Sequence, residues 1–356
     1  MKLEQMESGI LLLDKPAGLT SFDVVARSRK MLGTRRVGHL GTLDPFATGI
    51  LPLVFGKATR LSQYLMEHDK RYQVTLELGL ATDTQDRDGR VVAEKQLTVE
   101  HLQHLLQDDC KLIRQAVADL EGVREQLPPL YSAVKIDGKP LYKYARQGKD
   151  VKRSTRQVEV YQADLIGVRQ DKSYLRPECE TVLLDLMVFC SKGTYIRVLA
   201  AELGQMLGSL AYAVALRRLA VGSFTVAEAL ELTQAEELFS DIYQADSAAW
   251  RSHLAQRGQI LAMAQAMSEY PSYRLNREEA LAIAAGMMIS CRTPSAELQC
   301  RPVAGPVQRT TGGRLRYNIV CLLWQDDLLA IGSPVEQGGN LLIKPETVFV
   351  TRAEII

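Results

Sequence analysis

The chain has little of several features that would point to particular classes of protein. Its six cysteines include no Cys-x-x-Cys pair, which argues against a zinc ribbon or a dithiol redox motif. Its histidines include one close pair, His101 and His104, in a helical pattern without a second ligand pair, so we expect no metal site. No apolar run is long enough to cross a membrane, and the N-terminal segment lacks the apolar region of a signal peptide. We therefore expect a cytoplasmic protein.

Net charge is also almost absent, because 43 Lys and Arg residues balance 42 Asp and Glu residues. The overall field of a small nucleic-acid-binding protein is therefore missing. Locally the charge is uneven. Five basic residues and no acid lie between Arg27 and Arg36, and eight basic residues against two acids lie between Lys135 and Arg156. Such runs are usually solvated faces, but they also suit a surface that contacts phosphates.

The stretch from Gly38 to Leu61, GHLGTLDPFATGILPLVFGKATRL, contains a single carboxylate, Asp44. Its glycines permit positive φ values, and Pro45 restrains the backbone of the residue before it. A carboxylate held in this way has little rotational freedom. An Asp-Pro pair is also a common turn initiator, so these residues by themselves leave both a turn and a functional loop open.

Hydrophobic periodicity predicts the main elements around this stretch. Alternation over residues 71–80 predicts a half-buried strand with Tyr72 on its core side, and further strands are predicted at 158–168 and 181–190. The segment SKGTYIRVLAAELG predicts a strand-to-helix junction that carries Tyr195 and Arg197. A helix is predicted for the alanine-rich segment LAYAVALRRL, which is followed by Gly222.

The pattern changes near residue 270, which predicts two domains, at 1–269 and 270–356. The second would contain strands at 317–324 and 329–333. Within it, residues 291–316 are rich in Pro, Gly, Thr and Arg and carry five arginines against one acid, which predicts a long loop.

Five sequence motifs resemble, in the same order, those of the TruB family of tRNA pseudouridine synthases. They are DKPAGLTS, GHLGTLDPFATGILPLVFGKATR, RYQVTLELGLATDTQDRDG, QLPPLYSAVKIDGKPLYKYARQG and SKGTYIRVLAAELG, and together they span about residues 9–224. The resemblance implies an α+β fold with a mixed, mainly antiparallel sheet flanked by helices. It also implies a small, mainly-β C-terminal domain of the PUA-like kind that binds RNA. Residues 291–316 depart from the compact pattern of that domain as an insertion, and we expect this loop to face RNA.

The resemblance further implies roles for individual residues. Asp44 would be the catalytic nucleophile for a flipped-out uridine, Tyr72 would pack on the uracil and suit removal of the C5 proton, and Arg197 would pair with Asp44. His39 and Tyr195 would contact the RNA. Basic side chains that are candidates for contacts with its backbone are Arg35, Arg36, Lys57, Lys135 and Arg217.

As implied by the resemblance, the substrate is the T-arm stem-loop of tRNA at position 55, and no cofactor or metal is needed. No membrane, guide RNA or obligatory protein partner is expected. Two alternatives remain open from the sequence. One is an RNA-binding or RNA-folding protein whose benefit does not depend on isomerisation. The other is the catalytic subunit of a guide-RNA particle, although the short N-terminus and the absence of a Lys-rich tail favour the stand-alone form.

Overall fold

The computed structural model describes residues 7–95, 97–136, 138–145, 147–149, 151–291 and 319–355. The predicted loop at 291–316 therefore lies, except for Cys291, outside the described residues. None of the described helices has both the length and the apolar composition needed to cross a membrane.

The described residues form strands and helices in the following chain order. The strands are β1 (Gly9–Lys15), β2 (Val37–His39), β3 (Thr48–Phe55), β4 (Lys70–Leu78), β5 (Leu80–Thr82), β6 (Val91–Glu94), β7 (Gly122–Gln126), β8 (Lys135–Ile136), β9 (Lys139–Pro140), β10 (Arg156–Lys172), β11 (Glu180–Cys190), β12 (Ala211–Val221), β13 (Phe224–Thr225), β14 (Leu230–Glu231), β15 (Ile260–Leu261), β16 (Ser272–Arg274), β17 (Ile289–Ser290), β18 (Val320–Trp324), β19 (Asp327–Gln337) and β20 (Asn340–Val348). The helices are α1 (Ser21–Leu32), α2 (Ser62–Leu65), α3 (Val99–Ala118), α4 (Leu141–Ala145), α5 (Ile196–Met206), α6 (Leu232–Glu237), α7 (Ser247–Gln256), α8 (Met263–Ala266) and α9 (Arg277–Ala284).

Two sheets dominate the described part of the chain. The larger one has the strand order β14-β1-β3-β12-β4-β11-β10-β7, and the smaller one has the order β16-β18-β19-β20-β17. Neighbours are antiparallel except for β1 with β14, β3 with β12 and β16 with β18. The mixed, mainly antiparallel α+β architecture that the motifs implied is therefore confirmed. The domain boundary near residue 270 remains a prediction.

Helices cover one face of the larger sheet in two groups. Residues paired across adjacent strands point to the same face, so the registers of Gly49 with Arg218 and of Arg218 with Tyr72 identify a common face on β3, β12 and β4. On that face α1 and α7 pack on β1 and β3, and α3 and α5 pack on β4 and β11. Between these groups of helices lies the loop that carries Asp44, whose Leu43, Phe46 and Ala47 share a buried cluster with Tyr72 of β4.

The smaller sheet packs on the opposite face. Ile10 and Val54 of the larger sheet share a hydrophobic cluster with Cys321, Ile331 and Phe349 of the C-terminal segment. The smaller sheet therefore does not cover the face on which the loop that carries Asp44 lies.

Most of the local predictions agree with the structure, and one is wrong. Strand β4 occurs where alternation predicted it, β10 and β11 occur where two further strands were predicted, and Tyr195 is the N-cap of α5. The segment LAYAVALRRL is not helical, because it forms most of β12, which is hydrogen-bonded between β3 and β4. Its alanines favour a helix intrinsically, but two neighbouring strands provide hydrogen bonds and packing that outweigh this preference.

We expect Gly49→Ala to lower the free energy of unfolding by roughly 4 kcal/mol or more. Gly49 has φ +110°, and a Cβ atom there would lie 2.2 Å from the carbonyl oxygen of Arg218, so β3 and β12 would have to separate. Gly258→Ala is the matched control, because its φ is +72° and no atom lies within 4 Å of the position that a Cβ would take. It should cost only about 1–2 kcal/mol. Urea denaturation measures both losses, and equal losses would contradict the steric explanation.

Candidate active site

A buried lysine holds the loop that carries Asp44. This loop, residues 40–47, is called the aspartate loop below. The Lys15 side chain is fully buried, and its Nζ donates hydrogen bonds to the carbonyl oxygens of Pro16, Leu19 and Pro45 at 2.9, 2.8 and 3.2 Å. The N–H of Gly18 donates to the same Pro45 oxygen at 2.8 Å. The backbone next to Asp44 is therefore tied to the end of β1.

The start of α1 holds the other side of the loop. The Oγ of Ser21 accepts the N–H of Leu43 at 2.8 Å and lies 3.2 Å from the Leu43 carbonyl oxygen, to which it can donate. Thr20 caps the helix, and its side chain and that of Asp23 form a capping box. Because α1 is fixed at this end, it restrains the residue that precedes Asp44.

The Asp44 carboxylate meets a buried guanidinium in a two-point contact. Nε of Arg197 lies 2.9 Å from Oδ2 of Asp44, and Nη2 lies 3.1 Å from Oδ1. Nη1 of Arg197 lies 3.1 Å from Oδ2 of Asp86, which is a second carboxylate. The arginine also donates to the carbonyl oxygens of Thr84 and Tyr131 at 2.6 and 2.9 Å. The planar fork of arginine suits such contacts, and a lysine could not make all of them.

Arg197 lies in the first turn of α5, where the helix dipole disfavours a cation. The two carboxylates offset that effect. The turn is fixed by Gln126 of β7, whose side chain accepts the N–H of Tyr195 at 2.7 Å and donates to its carbonyl oxygen at 3.1 Å. The guanidinium of Arg156 lies 5.7 Å from the centre of the Tyr195 ring. These contacts of Gln126 and Arg156 with Tyr195 fix the start of α5.

A second buried arginine, Arg218, lies between Tyr72 and the aspartate loop. It pairs with Tyr72 in the register of β12 with β4, and both side chains are buried. Its Nε donates to the Ile50 carbonyl oxygen at 2.8 Å, and Nη2 and Nη1 lie 3.2 and 3.4 Å from the carbonyl oxygens of Gly41 and Thr42. Arg218 therefore stabilises the loop backbone on both sides of Asp44.

Burial and neighbouring charges act in opposite directions on the ionisable groups. Burial raises the pKa of Asp44 above its ordinary value, and Arg197 and then Lys15 oppose this rise. The carboxylate is not sealed off, because 31% of its side chain remains accessible. Burial lowers the pKa of Lys15 to about 8, and Asp44 is the main group that opposes it. Burial raises the pKa of Tyr72, opposed by Arg218.

The remaining residues predicted for RNA contact differ in their surroundings. His39 is half-buried on β2, and burial followed by the charge of Arg218 lowers the pKa of its imidazole. Lys57 forms an ion pair with Glu354 at 2.9 Å. Their roles toward RNA, like those of all the predicted site residues, stay predictions.

Arg217 points to the opposite face from Arg218, since adjacent residues of a strand alternate. Its Nη1 lies 3.2 Å from Oδ1 of Asp14 and 3.3 Å from Oγ1 of Thr48. The other predicted cations are exposed, and among the described residues no ion pair involves them: Arg35, Arg36 and Lys135.

Sequence reasoning did not assign Lys15, Ser21, Asp86 or Arg218 to the site, although all four contribute to it. The first three lie in motifs that the sequence already showed, DKPAGLTS and RYQVTLELGLATDTQDRDG. Their positions in these motifs were therefore an available signal. Arg218 lies in LAYAVALRRL, the segment that was wrongly predicted to be helical.

Similar structures define the fold. A chain in a crystal structure of a Cbf5–Nop10–Gar1 complex superposes with a TM-score of 0.66 at 24% identity, covering 100% of this chain and 89% of that one. A chain of an archaeal box H/ACA sRNP Nop10–Cbf5 complex superposes with a TM-score of 0.62 at 20% identity, covering 99% of this chain and 89% of that one. The architecture is therefore one that these two solved chains share.

The sequence comparisons define the family. Residues 29–196 match the model of the N-terminal domain of TruB family pseudouridylate synthases. A tRNA pseudouridine synthase B of Aromatoleum aromaticum is 46% identical over 230 residues, which are 65% of this chain and 68% of that protein. Another, from Azoarcus sp., is 40% identical over 278 residues, which are 78% of this chain and 82% of that protein. The chain belongs to the TruB family of pseudouridylate synthases.

We expect Arg197→Gln to raise the pKa of Asp44, because it removes the largest influence that opposes the effect of burial. Lys15→Gln is the matched control, and it should raise the same pKa by less. Carboxyl NMR titration of protein labelled with carbon-13 aspartate measures both, with the Asp44 signal assigned by its loss in Asp44→Asn. A larger shift in Lys15→Gln would contradict the order of the two contributions.

Proposed function

We propose that this protein converts uridine to pseudouridine at position 55 in the T-arm of tRNA, with Asp44 as the nucleophile. The observation that supports this best is the contact of Asp44 with buried Arg197, in a chain whose relatives are tRNA pseudouridine synthases B. The proposal makes this a stand-alone enzyme that reads the T-arm itself, without a guide RNA. Because its substrate would be tRNA, we also propose that it works in the cytoplasm.

The proposed reaction is an isomerisation that needs no oxidant or reductant. The bond from C1′ of the ribose to N1 of the uracil breaks, the base turns, and a bond from C1′ to C5 forms. The proton on C5 leaves, and N1 gains a proton. Asp44 would form a transient covalent bond, at C1′ or at C6, and would be released at the end.

Asp44 can act as a nucleophile only while it is ionised. Burial favours its neutral form, and the cations Arg197 and Lys15 counter that effect. A buried ion pair adds little net stability, because desolvation cancels much of the attraction. The role proposed for the two-point contact is therefore to orient the carboxylate and keep it charged at neutral pH.

Tyr72 would act on the flipped-out uracil. It lies on β4 beside Arg218, and its buried ring shares a cluster with Leu43 and Phe46 of the loop that carries Asp44. Burial raises the pKa of Tyr72, and the charge of Arg218 opposes this rise. The ring would pack on the uracil. To accept the C5 proton, the phenol would first give its own proton to solvent, and Arg218 would stabilise the phenolate that then acts as the base.

Flipping the base out of its stack costs a few kcal/mol, which contacts with the rest of the RNA must offset. His39 and Tyr195 would supply ring surfaces, and the exposed cations Arg35, Arg36 and Lys135 would contact phosphates. Lys57 and Arg217 would have to leave their ion pairs with Glu354 and Asp14 to do so. Within the second predicted domain, 270–356, the smaller sheet would add a further RNA-binding surface.

We expect Asp44→Asn to abolish turnover while it leaves the affinity for a T-arm stem-loop within about threefold of wild type. The amide keeps the shape of the side chain but cannot act as a nucleophile. Release of tritium from RNA that carries [5-³H]uridine measures turnover, since the C5 proton must leave, and filter binding measures affinity.

The control for this substitution is Asp164→Asn, the same chemical change at an exposed position of β10, which should behave like wild type. Turnover by Asp44→Asn would refute the proposed nucleophile. If wild type binds and refolds tRNA but forms no pseudouridine, the protein is instead an RNA-binding or RNA-folding protein.

A further inference from the structure

The loop that contains Asp86 places that carboxylate against Arg197. The next residue, Arg87, contacts two aromatic rings. The guanidinium carbon of Arg87 lies 5.9 Å from the ring centre of Phe46 and 5.4 Å from that of Tyr174. Phe46 belongs to the aspartate loop and is buried, whereas Tyr174 is 53% exposed. Arg87 therefore links the aspartate loop to a distant hairpin.

That hairpin consists of β10 and β11 and the connecting residues 173–179, which we call the hairpin loop. The N–H of Tyr174 donates to Oε2 of Glu77 at 2.9 Å, and the Ser173 hydroxyl donates to the other oxygen of the same carboxylate. Glu77 is fully buried and also accepts the hydroxyl of Tyr212 at 2.7 Å. The N–H of Ser173 donates to the Cys179 carbonyl oxygen at 3.0 Å. The backbone of Tyr174 is thus anchored to β4 and β12, in the middle of the larger sheet.

The Asp86 loop is anchored on one side by the edge of β12. Ala213 accepts the N–H of Arg87 at 3.0 Å and donates its own N–H to Gln85 at 3.1 Å. Within the loop, Oδ1 of Asp86 accepts the Thr84 hydroxyl at 2.6 Å and the N–H of Asp88 at 3.1 Å. The side chain of Arg87 adds contacts outside the loop, through its two aromatic partners. Arginine over aromatic rings is a favourable and directional contact, so removal of one ring loosens the loop without removing any group that touches Arg197 or Asp44.

We propose that Tyr174 is a positioning residue, which acts through Arg87 to hold Asp86 and Phe46 so that Arg197 meets Asp44 in its two-point contact. This inference rests on the proposed function, because its purpose is to orient the nucleophile. The hairpin loop would thus affect catalysis, although it lies outside the five motifs that resemble those of the TruB family.

The experiment compares three variants of the full chain on a T-arm stem-loop. Tyr174→Ala removes the ring, Tyr174→Phe keeps the ring and loses only the hydroxyl, and Ile166→Ala removes a similarly exposed apolar side chain from the same hairpin. We expect Tyr174→Ala to lower kcat by about three- to tenfold with KM within twofold of wild type. Tyr174→Phe and Ile166→Ala should match wild type.

The dependence of kcat on pH gives a second measurement, and a mere loss of stability would not shift it. If Arg197 is held less well, the pKa of Asp44 rises, so the acidic limb of kcat in Tyr174→Ala should move to higher pH. Carbon-13 NMR titration of the Asp44 carboxyl should show the same upward shift, and it does not depend on turnover.

The possible results separate this inference from the proposed function. A rise in KM with unchanged kcat would show that Tyr174 contacts the RNA itself, which would overturn the positioning role. Equal losses in Tyr174→Phe and Tyr174→Ala, or no change in either, would also overturn it. If wild type has no turnover, the proposed function fails, and an unshifted Asp44 titration in Tyr174→Ala would refute the positioning role independently.

Discussion

The contact of buried Arg197 with Asp44 and Asp86 is the interaction on which the candidate site depends. A guanidinium with almost no exposed surface requires compensating carboxylates, and these come from two loops far apart in the chain. Satisfying one charge therefore brings the aspartate loop, the Asp86 loop and the start of α5 together. Breaking such a buried pair costs about 3–5 kcal/mol, even though the intact pair adds little net stability. The pair thus specifies an arrangement more than it strengthens the fold.

The larger sheet provides the support that this arrangement needs. Strands β3 and β12 approach so closely at Gly49 that no side chain fits there, and Arg218 bonds the loop backbone from the neighbouring position. Helices cover the same face on both sides of the loop, while the smaller sheet packs on the opposite face. The fold therefore leaves one carboxylate partly open to solvent at the centre of an otherwise buried region. This combination of restraint and access suits a reaction on a nucleotide that is turned out of its stack.

Much of the fold was predictable from local patterns and from the order of the motifs. Period-two alternation was sufficient for β4, and the glycine and helical spacing in SKGTYIRVLAAELG located Tyr195 and Arg197 at the start of α5. The prediction failed for β12, whose alanines favour a helix intrinsically. A central strand receives hydrogen bonds from both neighbours, and those neighbours are not visible in the local sequence. Because of that failure, Arg218 was not placed beside Tyr72.

The sequence by itself determined which residues could do chemistry: a lone carboxylate in a restrained loop, a tyrosine on the core side of a strand, and an arginine at a helix start that needed an acidic partner. The tertiary structure decided which charges meet. It pairs Arg197 with two carboxylates and encloses Lys15 beneath the loop, and it directs Lys57 to Glu354 and Arg217 to Asp14. The physical reason is that charge pairing and burial depend on distances between residues that are often more than a hundred positions apart. Such distances exist only after the strands have taken their order in the sheet.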